Sequence, residues 1–191
     1  MSLRIIAGRH RGRRIETPKG LATRPTSERA REALFNILEH GSPPLRGSRF
    51  LDLFAGSGAA GLEALSRGAV EALMIDQANA AVTTIRANIE VLGERERAKV
   101  LRADACRLGA APHPFDIAFL DPPYGSGLLV PALEGLLTQG WLASEAAIVA
   151  EVAAREPVTP PPGFVILDER RYGAARFVFL RTTAESGRTR F

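Results

Sequence analysis

Three acid-bearing motifs in this chain could do chemistry. Asp52-Leu-Phe-Ala-Gly56-Ser-Gly58-Ala-Ala-Gly61 is a G-x-G-x-x-G run at an expected strand-to-helix turn, Asp76 follows 20 residues after Gly56, and Asp121-Pro122-Pro123-Tyr124 closes a later apolar run. Glycines there let backbone approach a ligand, and the helix N-terminus attracts an anionic group. An acid at the end of the next strand accepts from ribose hydroxyls. Together these features call for an adenosine-bearing ligand, more firmly than the glycines alone. NAD and S-adenosylmethionine both qualify. Asp52 separates them: it would repel a pyrophosphate, but can hold a methionine ammonium directly or through water.

The Asp-Pro-Pro-Tyr run suits a different partner. Consecutive prolines fix the backbone and remove two N–H donors, leaving carbonyl acceptors beside one carboxylate and an aromatic ring. A planar exocyclic amine fits that edge. Asp121 and the Pro122 carbonyl can accept its two N–H bonds while Tyr124 stacks on the base. Placing such a poor nucleophile about 3–3.5 Å from an electrophilic methyl needs positioning and electrostatics, with no metal. His10, His40 and His113 share no ligand spacing with Cys106 or with each other, so no metal site is expected. Cys106 is expected to be a buried small residue and Trp141 part of the core.

These residues need a sheet to bring them together. Strands are expected at 49–54, 69–75, 98–101, 115–120, 147–152, 163–168 and 175–180, with helices after the glycine run and at 79–92 and 128–138. That alternation implies an α/β fold: a mostly parallel sheet with helices on both faces and an antiparallel last strand. Upstream, 3–7 and 13–17 read as a hairpin. Thr26 or Ser27 can cap a helix over 28–39 whose apolar face would be Ala30, Ala33, Leu34, Ile37 and Leu38. The Gly- and Pro-bearing stretch 40–47 reads as a boundary. We therefore expect a basic N-terminal extension (1–40), a main domain (41–183) and a flexible tail (184–191).

Charge follows the same division. Residues 1–31 hold nine bases and two acids, a local charge of +7, while the chain as a whole carries +4. A basic arm on a mildly acidic body is the footprint of a polyanion partner. Arg9, Arg11, Arg13 and Arg14 could clamp phosphates, and Arg24, extended before Pro25, could stand near the site entrance. With 191 residues, 46% of them apolar, and one cysteine, the composition excludes general disorder and a disulfide framework. No apolar run reaches the length of a membrane span, and the N-terminus does not read as a signal peptide. A cytoplasmic protein is expected.

The order Asp52-to-Gly58, Asp76, Asp104, Asp121-to-Tyr124 resembles class I S-adenosylmethionine-dependent methyltransferases acting on amino groups of bases. Arg4-Ile-Ile-Ala-Gly8, the stretch from Arg24-Pro-Thr to Leu38, and Phe50-to-Gly58 are similar to the bacterial 16S ribosomal RNA guanine-N2 methyltransferase family, the RsmD type. The resemblance runs to about Arg181. It implies a Rossmann-like sheet and S-adenosylmethionine as cofactor. Asp76 would hold the ribose, Asp104 the adenine amine, and Asp121 and Tyr124 the target guanine. Phe54, Ala55, Gly56, Gly58, Gln77 and Ala105 complete the expected cofactor set beside Asp52, and Pro122 and Pro123 the catalytic loop. Asp76-Gln77 departs from the pattern, where Glu is more usual. The implied substrate is ribosomal RNA in a partly assembled small subunit, met by a monomer. The rivals are a DNA adenine-N6 or cytosine-N4 methyltransferase, a nicotinamide-dependent dehydrogenase and a non-catalytic RNA-binding protein.

Overall fold

A computed structural model describes residues 2–18 and 27–183. Arg24, Thr26 and the expected tail lie outside the described residues. The centre is a seven-stranded sheet built from β3 (Arg49–Leu53), β4 (Glu71–Asp76), β5 (Ala98–Arg102), β6 (Phe115–Leu120), β7 (Leu142–Ala153), β8 (Phe164–Tyr172) and β9 (Ala175–Thr182). Its order is β5-β4-β3-β6-β7-β9-β8. The first five strands pair in parallel, and β9 runs antiparallel between β7 and β8. The chain moves outward from β3 to β5, then returns to lay β6 on the other side of β3. Such a reversal opens a crevice beyond the carboxyl ends of the two central strands. The glycine run follows β3 and Asp121 follows β6, so the topology brings the two motifs together.

The strands are apolar on both faces because both are covered. Phe50, Met74, Ile117 and Phe119 pack toward one helical layer; their neighbours Leu51, Leu53, Ile75, Ala118 and Leu120 pack toward the other. The first layer holds α1 (Glu28–Glu39), α2 (Ala59–Arg67) and α3 (Asn79–Leu92), and the second holds α4 (Leu129–Thr138). Trp141 is buried as expected, stacked on Phe115 with its indole N–H donating to the Gly109 carbonyl at 2.9 Å.

Helix α1 differs from its expected register. Ser27 caps it, accepting from the Ala30 N–H at 3.2 Å. Its buried face is Ala30, Arg31, Leu34, Phe35 and Leu38, whereas Ala33 and Ile37 are only half-buried. Phe35 turns the helix: its ring packs against Phe50 at 5.9 Å, and the Arg67 guanidinium lies over it at 5.4 Å. That rotation carries a charged side chain, Arg31, inward.

The N-terminal hairpin forms, with β1 (Ser2–Arg4) antiparallel to β2 (Arg14–Glu16) around a 3₁₀ turn at Gly8–His10. Ile5 and Ile15 are buried in the same core as Leu62 and Leu65. The fully buried Glu63 of α2 accepts from the Ile6 and Ala7 N–H groups at 2.7 and 3.0 Å. Gly8 is required here, since a Cβ would stand 2.0 Å from the Ser66 carbonyl oxygen, and its φ is +78°. His10 Nε2 meets Glu94 at 2.6 Å, and Asn88 joins Glu16 of the hairpin to Ser57 of the glycine loop. The hairpin is thus docked on α2 and α3. The connection at 40–47 is likewise tied: Leu45 is fully buried and donates to the Leu38 carbonyl.

Candidate active site

The loop between β3 and α2 is held from both flanks. Asp52, 2% exposed, accepts from the Gly61 N–H at 2.9 Å. Asp76 accepts from Gly56 N–H at 2.9 Å and from Ala78 N–H at 2.8 Å, tying the ends of β3 and β4 together. Each Asp76 oxygen keeps a lone pair for a further donor. Gly58 has φ +78°, and a Cβ there would lie 2.8 Å from Met74 Sδ, so no other residue lets the helix begin this close to β4. Phe54 adopts a left-handed φ of 62° without being glycine, a local strain typical of ligand-binding turns. Burial pushes the Asp52 carboxyl up to about 7, with Asp76 adding repulsion and the Gly61 hydrogen bond opposing.

At the end of β6, the Asp121 N–H donates to the Leu53 carbonyl at 3.3 Å, fixing the loop against β3. The residue keeps some exposure to the crevice, yet its carboxyl is densely surrounded by protein. Burial first, then Glu151 and Asp52, hold this carboxyl well above the ordinary range. Glu151 is a residue the motifs did not reveal. It is 2% exposed on β7, and because Leu120 pairs with Ala150 it stands next in register to Asp121. The Tyr124 hydroxyl donates to Glu151 Oε1 at 3.1 Å while 44% of the residue stays exposed. Glu156 adds a second tie, accepting from the Gly125 N–H at 3.2 Å. The available signal was a lone acid inside the apolar run Ala146–Ala153.

The two loops border one cleft of about 760 Å³. Every expected cofactor and catalytic residue lines it except Gly58, which lies behind the loop. Leu3, Thr17, Pro18, Arg31 and Leu34 form a wall from the N-terminal segment that the sequence pattern did not foretell. Asp104 accepts from the Cys106 N–H at 2.9 Å and lies toward solvent. Cys106 corrects its expectation: it is half-buried and lines the cleft, because its strand has ended and its loop faces the crevice. Burial and Asp104 push its thiol up. Arg9, Arg11, Arg13 and Arg14 are exposed on the hairpin and do not border the cleft. Among the described residues, no group of His, Cys, Asp and Glu could hold a metal, and no helix is long and apolar enough to cross a membrane.

The cleft matches S-adenosylmethionine in size and in acceptor set. Its four carboxylates can accept from N–H and O–H groups of the kinds this ligand carries, and its volume is ordinary for such ligands. A pyrophosphate would face the buried Asp52 and Asp121 instead. Fold and cleft together define a Rossmann-like S-adenosylmethionine-dependent methyltransferase.

The family model described as Conserved hypothetical protein 95 matches residues 3–181, and the chain belongs to this family, the RsmD type. The chain is 41% identical over 150 residues to Ribosomal RNA small subunit methyltransferase D of Escherichia coli strain K12, covering 78% of this chain and 74% of the relative. It is 33% identical over 179 residues to the protein of the same name from Haemophilus influenzae, covering 92% and 91%. The solved structure of the Escherichia coli protein yhhF superposes with a TM-score of 0.81 at 35% identity, covering 97% of this chain and all of that one.

Proposed function

We propose that the protein transfers a methyl group from S-adenosylmethionine to the exocyclic N2 amine of a guanine in small-subunit ribosomal RNA. The observation that carries this reading is the Asp121–Tyr124 loop, set across the cleft from the glycine loop and its acids. When bound, S-adenosylmethionine supplies an electrophilic methyl on a positively charged sulfur. In this reading Asp52 takes the ammonium, Asp76 with Gln77 the ribose, and Asp104 with Ala105 the adenine. Asp121 and the Pro122 carbonyl accept the two N–H bonds of the guanine amine, and Tyr124 stacks on the ring. Glu151 fixes the Tyr124 hydroxyl, and so the ring that must receive the base.

Asp121 has a second part. The amine nitrogen must shed one proton as it becomes methylated. A carboxylate whose burial favours its protonated form is a suitable acceptor. The base must leave its stack to enter the cleft. The docked hairpin and α1 act as the arm that holds structured RNA through phosphates, with shape supplying specificity. We assign the work to a single chain acting in the cytoplasm, where a ribosomal RNA substrate is met.

Label transfer to free ribosomal RNA, small subunits and duplex DNA, followed by nucleoside analysis, tests the reading. N2-methylguanosine from an RNA substrate is expected. Methylated adenine or cytosine in DNA would overturn it.

A further inference from the structure

The cleft holds four acids, Asp52, Asp76, Asp104 and Asp121, and a single buried base among the described residues, Arg31. Arg107 also borders it, but its side chain is 87% exposed. Arg31 is only 3% exposed. Its Nη2 donates to the Arg4 carbonyl at 2.5 Å, and its buried Nε has no hydrogen-bond partner among the described residues. A buried guanidinium with donors to spare calls for an acceptor. Glu63 and Glu28 are near enough to favour the charge, but neither hydrogen-bonds the guanidinium among the described residues, and the Glu63 oxygens already serve Ile6, Ala7 and Arg67. The described residues therefore leave this cation incompletely matched.

A second feature lies on the same stretch of wall. Ala59 and Ala60, the first residues of α2, border the cleft; Gly58 before them has no side chain to cap the helix, and the Gly61 N–H of the same turn is taken by Asp52. Such a helix start favours an anion. Asp76 and Asp104 mark the nucleoside end of the cleft. Since the reacting methyl must face Asp121, the amino-acid end of the cofactor has to extend toward Asp52, α2 and Arg31.

We propose that Arg31, beside the start of α2, binds the α-carboxylate of the S-adenosylmethionine methionyl group while Asp52 takes its ammonium. This inference rests on the cofactor reading above and adds a residue outside its motifs. It also gives the N-terminal segment a hand in cofactor binding. The same guanidinium holds the Arg4 carbonyl of β1, so filling the carboxylate site fastens the wall that carries the hairpin.

Calorimetry with S-adenosylmethionine and its decarboxylated analogue, which differ only in the carboxylate, tests the proposal. The wild-type protein should bind the analogue roughly 10- to 100-fold more weakly, the range of a charged hydrogen-bonded pair. R31Q should bind S-adenosylmethionine about that much more weakly and the analogue within about threefold of wild type, so that discrimination collapses. R31K keeps the charge without the fork and should retain part of it. If R31Q does not fold, loss of discrimination in R31K decides. Equal binding of both compounds by the wild type overturns the proposal while leaving the cofactor reading intact; no binding of either overturns both. Equal weakening of both compounds in R31Q would make Arg31 a mere support of β1. Unchanged cofactor binding with a shallower salt dependence of RNA affinity would make it a phosphate contact; either result overturns the proposal.

Discussion

The cleft and the hairpin carry opposite charge by opposite means. In the cleft Asp52, and behind Tyr124 Glu151, are each 2% exposed, and burial shifts Asp52 and Asp121 toward their protonated forms. Each acid has an address: Gly61 N–H for Asp52, Gly56 and Ala78 N–H for Asp76, the Leu53 carbonyl for the Asp121 backbone. On the hairpin, Arg9, Arg11, Arg13 and Arg14 are all exposed. Desolvated charges interact strongly and depend on geometry, whereas exposed ones are screened and act by their sum. Single substitutions should therefore be severe and specific in the cleft, and mild, additive and salt-dependent on the hairpin.

Asp121→Ala should give the largest effect. Turnover on a competent RNA is expected to fall by at least about 100-fold, the scale of losing one positioned electrostatic partner. S-adenosylmethionine affinity should stay within about threefold, because the role proposed for Asp121 is toward the amine rather than the adenosine. Single-turnover kinetics beside calorimetry separates the two; near-normal turnover would remove Asp121 from the chemistry. Asp76→Ala comes next, weakening cofactor binding by about 1.5–3 kcal/mol. Part of that loss belongs to the protein, since Asp76 also ties Gly56 to Ala78. Asp76→Asn keeps an acceptor for one of those ties, and a smaller loss in that variant would measure how much the loop contributes.

The two regions also differ in how far the sequence reveals them. The glycine run, Asp76 and the Asp-Pro-Pro-Tyr loop are local patterns whose spacing carries the geometry, and they converge on the cleft. The element order was legible for the same reason: periodicity changes where strands give way to helices. Glu151 and Arg31 were not legible, because each acts across the fold. Glu151 matters only once β7 pairs with β6, and Arg31 points inward only because Phe35 seats against Phe50. The hairpin was visible as a hairpin, but its docking was not. Glu63 and Ser66 of α2, Asn88 of α3 and Glu94 in the turn after it hold it from 56 to 84 residues away, and nothing in the local pattern marks them.

A pH series sharpens the contrast on the cleft side. The Asp52 carboxyl is raised to about 7 in the folded protein, so it is largely protonated below that pH. Binding an ammonium requires the carboxylate, and cofactor binding must then release a proton. S-adenosylmethionine affinity should rise toward tenfold per pH unit between about pH 5 and 7 and level off above about 8. Asp52→Asn, which can still accept from Gly61, should flatten the curve. Stability moves the other way. A raised folded-state value means Asp52 contributes stability present below its ordinary range and lost as pH rises to about 7. The melting temperature of Asp52→Asn relative to wild type should therefore improve across that window. An unchanged difference would show that the Asp52 charge is compensated within the cleft.

The hairpin gives the smallest single effects, and its four arginines are not equivalent. Arg13 Nη2 donates to the Val91 carbonyl near the end of α3 at 2.5 Å, and Arg9 lies 3.9 Å from Glu94. Arg11 and Arg14 make no ion pair among the described residues, so they are the cleaner probes of RNA contact. Replacing either with Ala should lower the log–log salt slope of RNA binding by about 0.7–0.9, equivalent to roughly threefold in affinity between low and moderate salt. The four substitutions together should add nearly fully, since screened phosphate contacts are nearly independent. Arg9→Ala and Arg13→Ala should also lower the melting temperature slightly, because each touches α3 or its following turn. S-adenosylmethionine affinity should be unchanged in all four, as none borders the cleft. RNA affinity over a salt series, with calorimetry as control, measures all of this. If Arg11→Ala and Arg14→Ala kept the wild-type slope, the hairpin would be a solvated face, and the RNA path would have to run over the exposed face of α1 toward Tyr124.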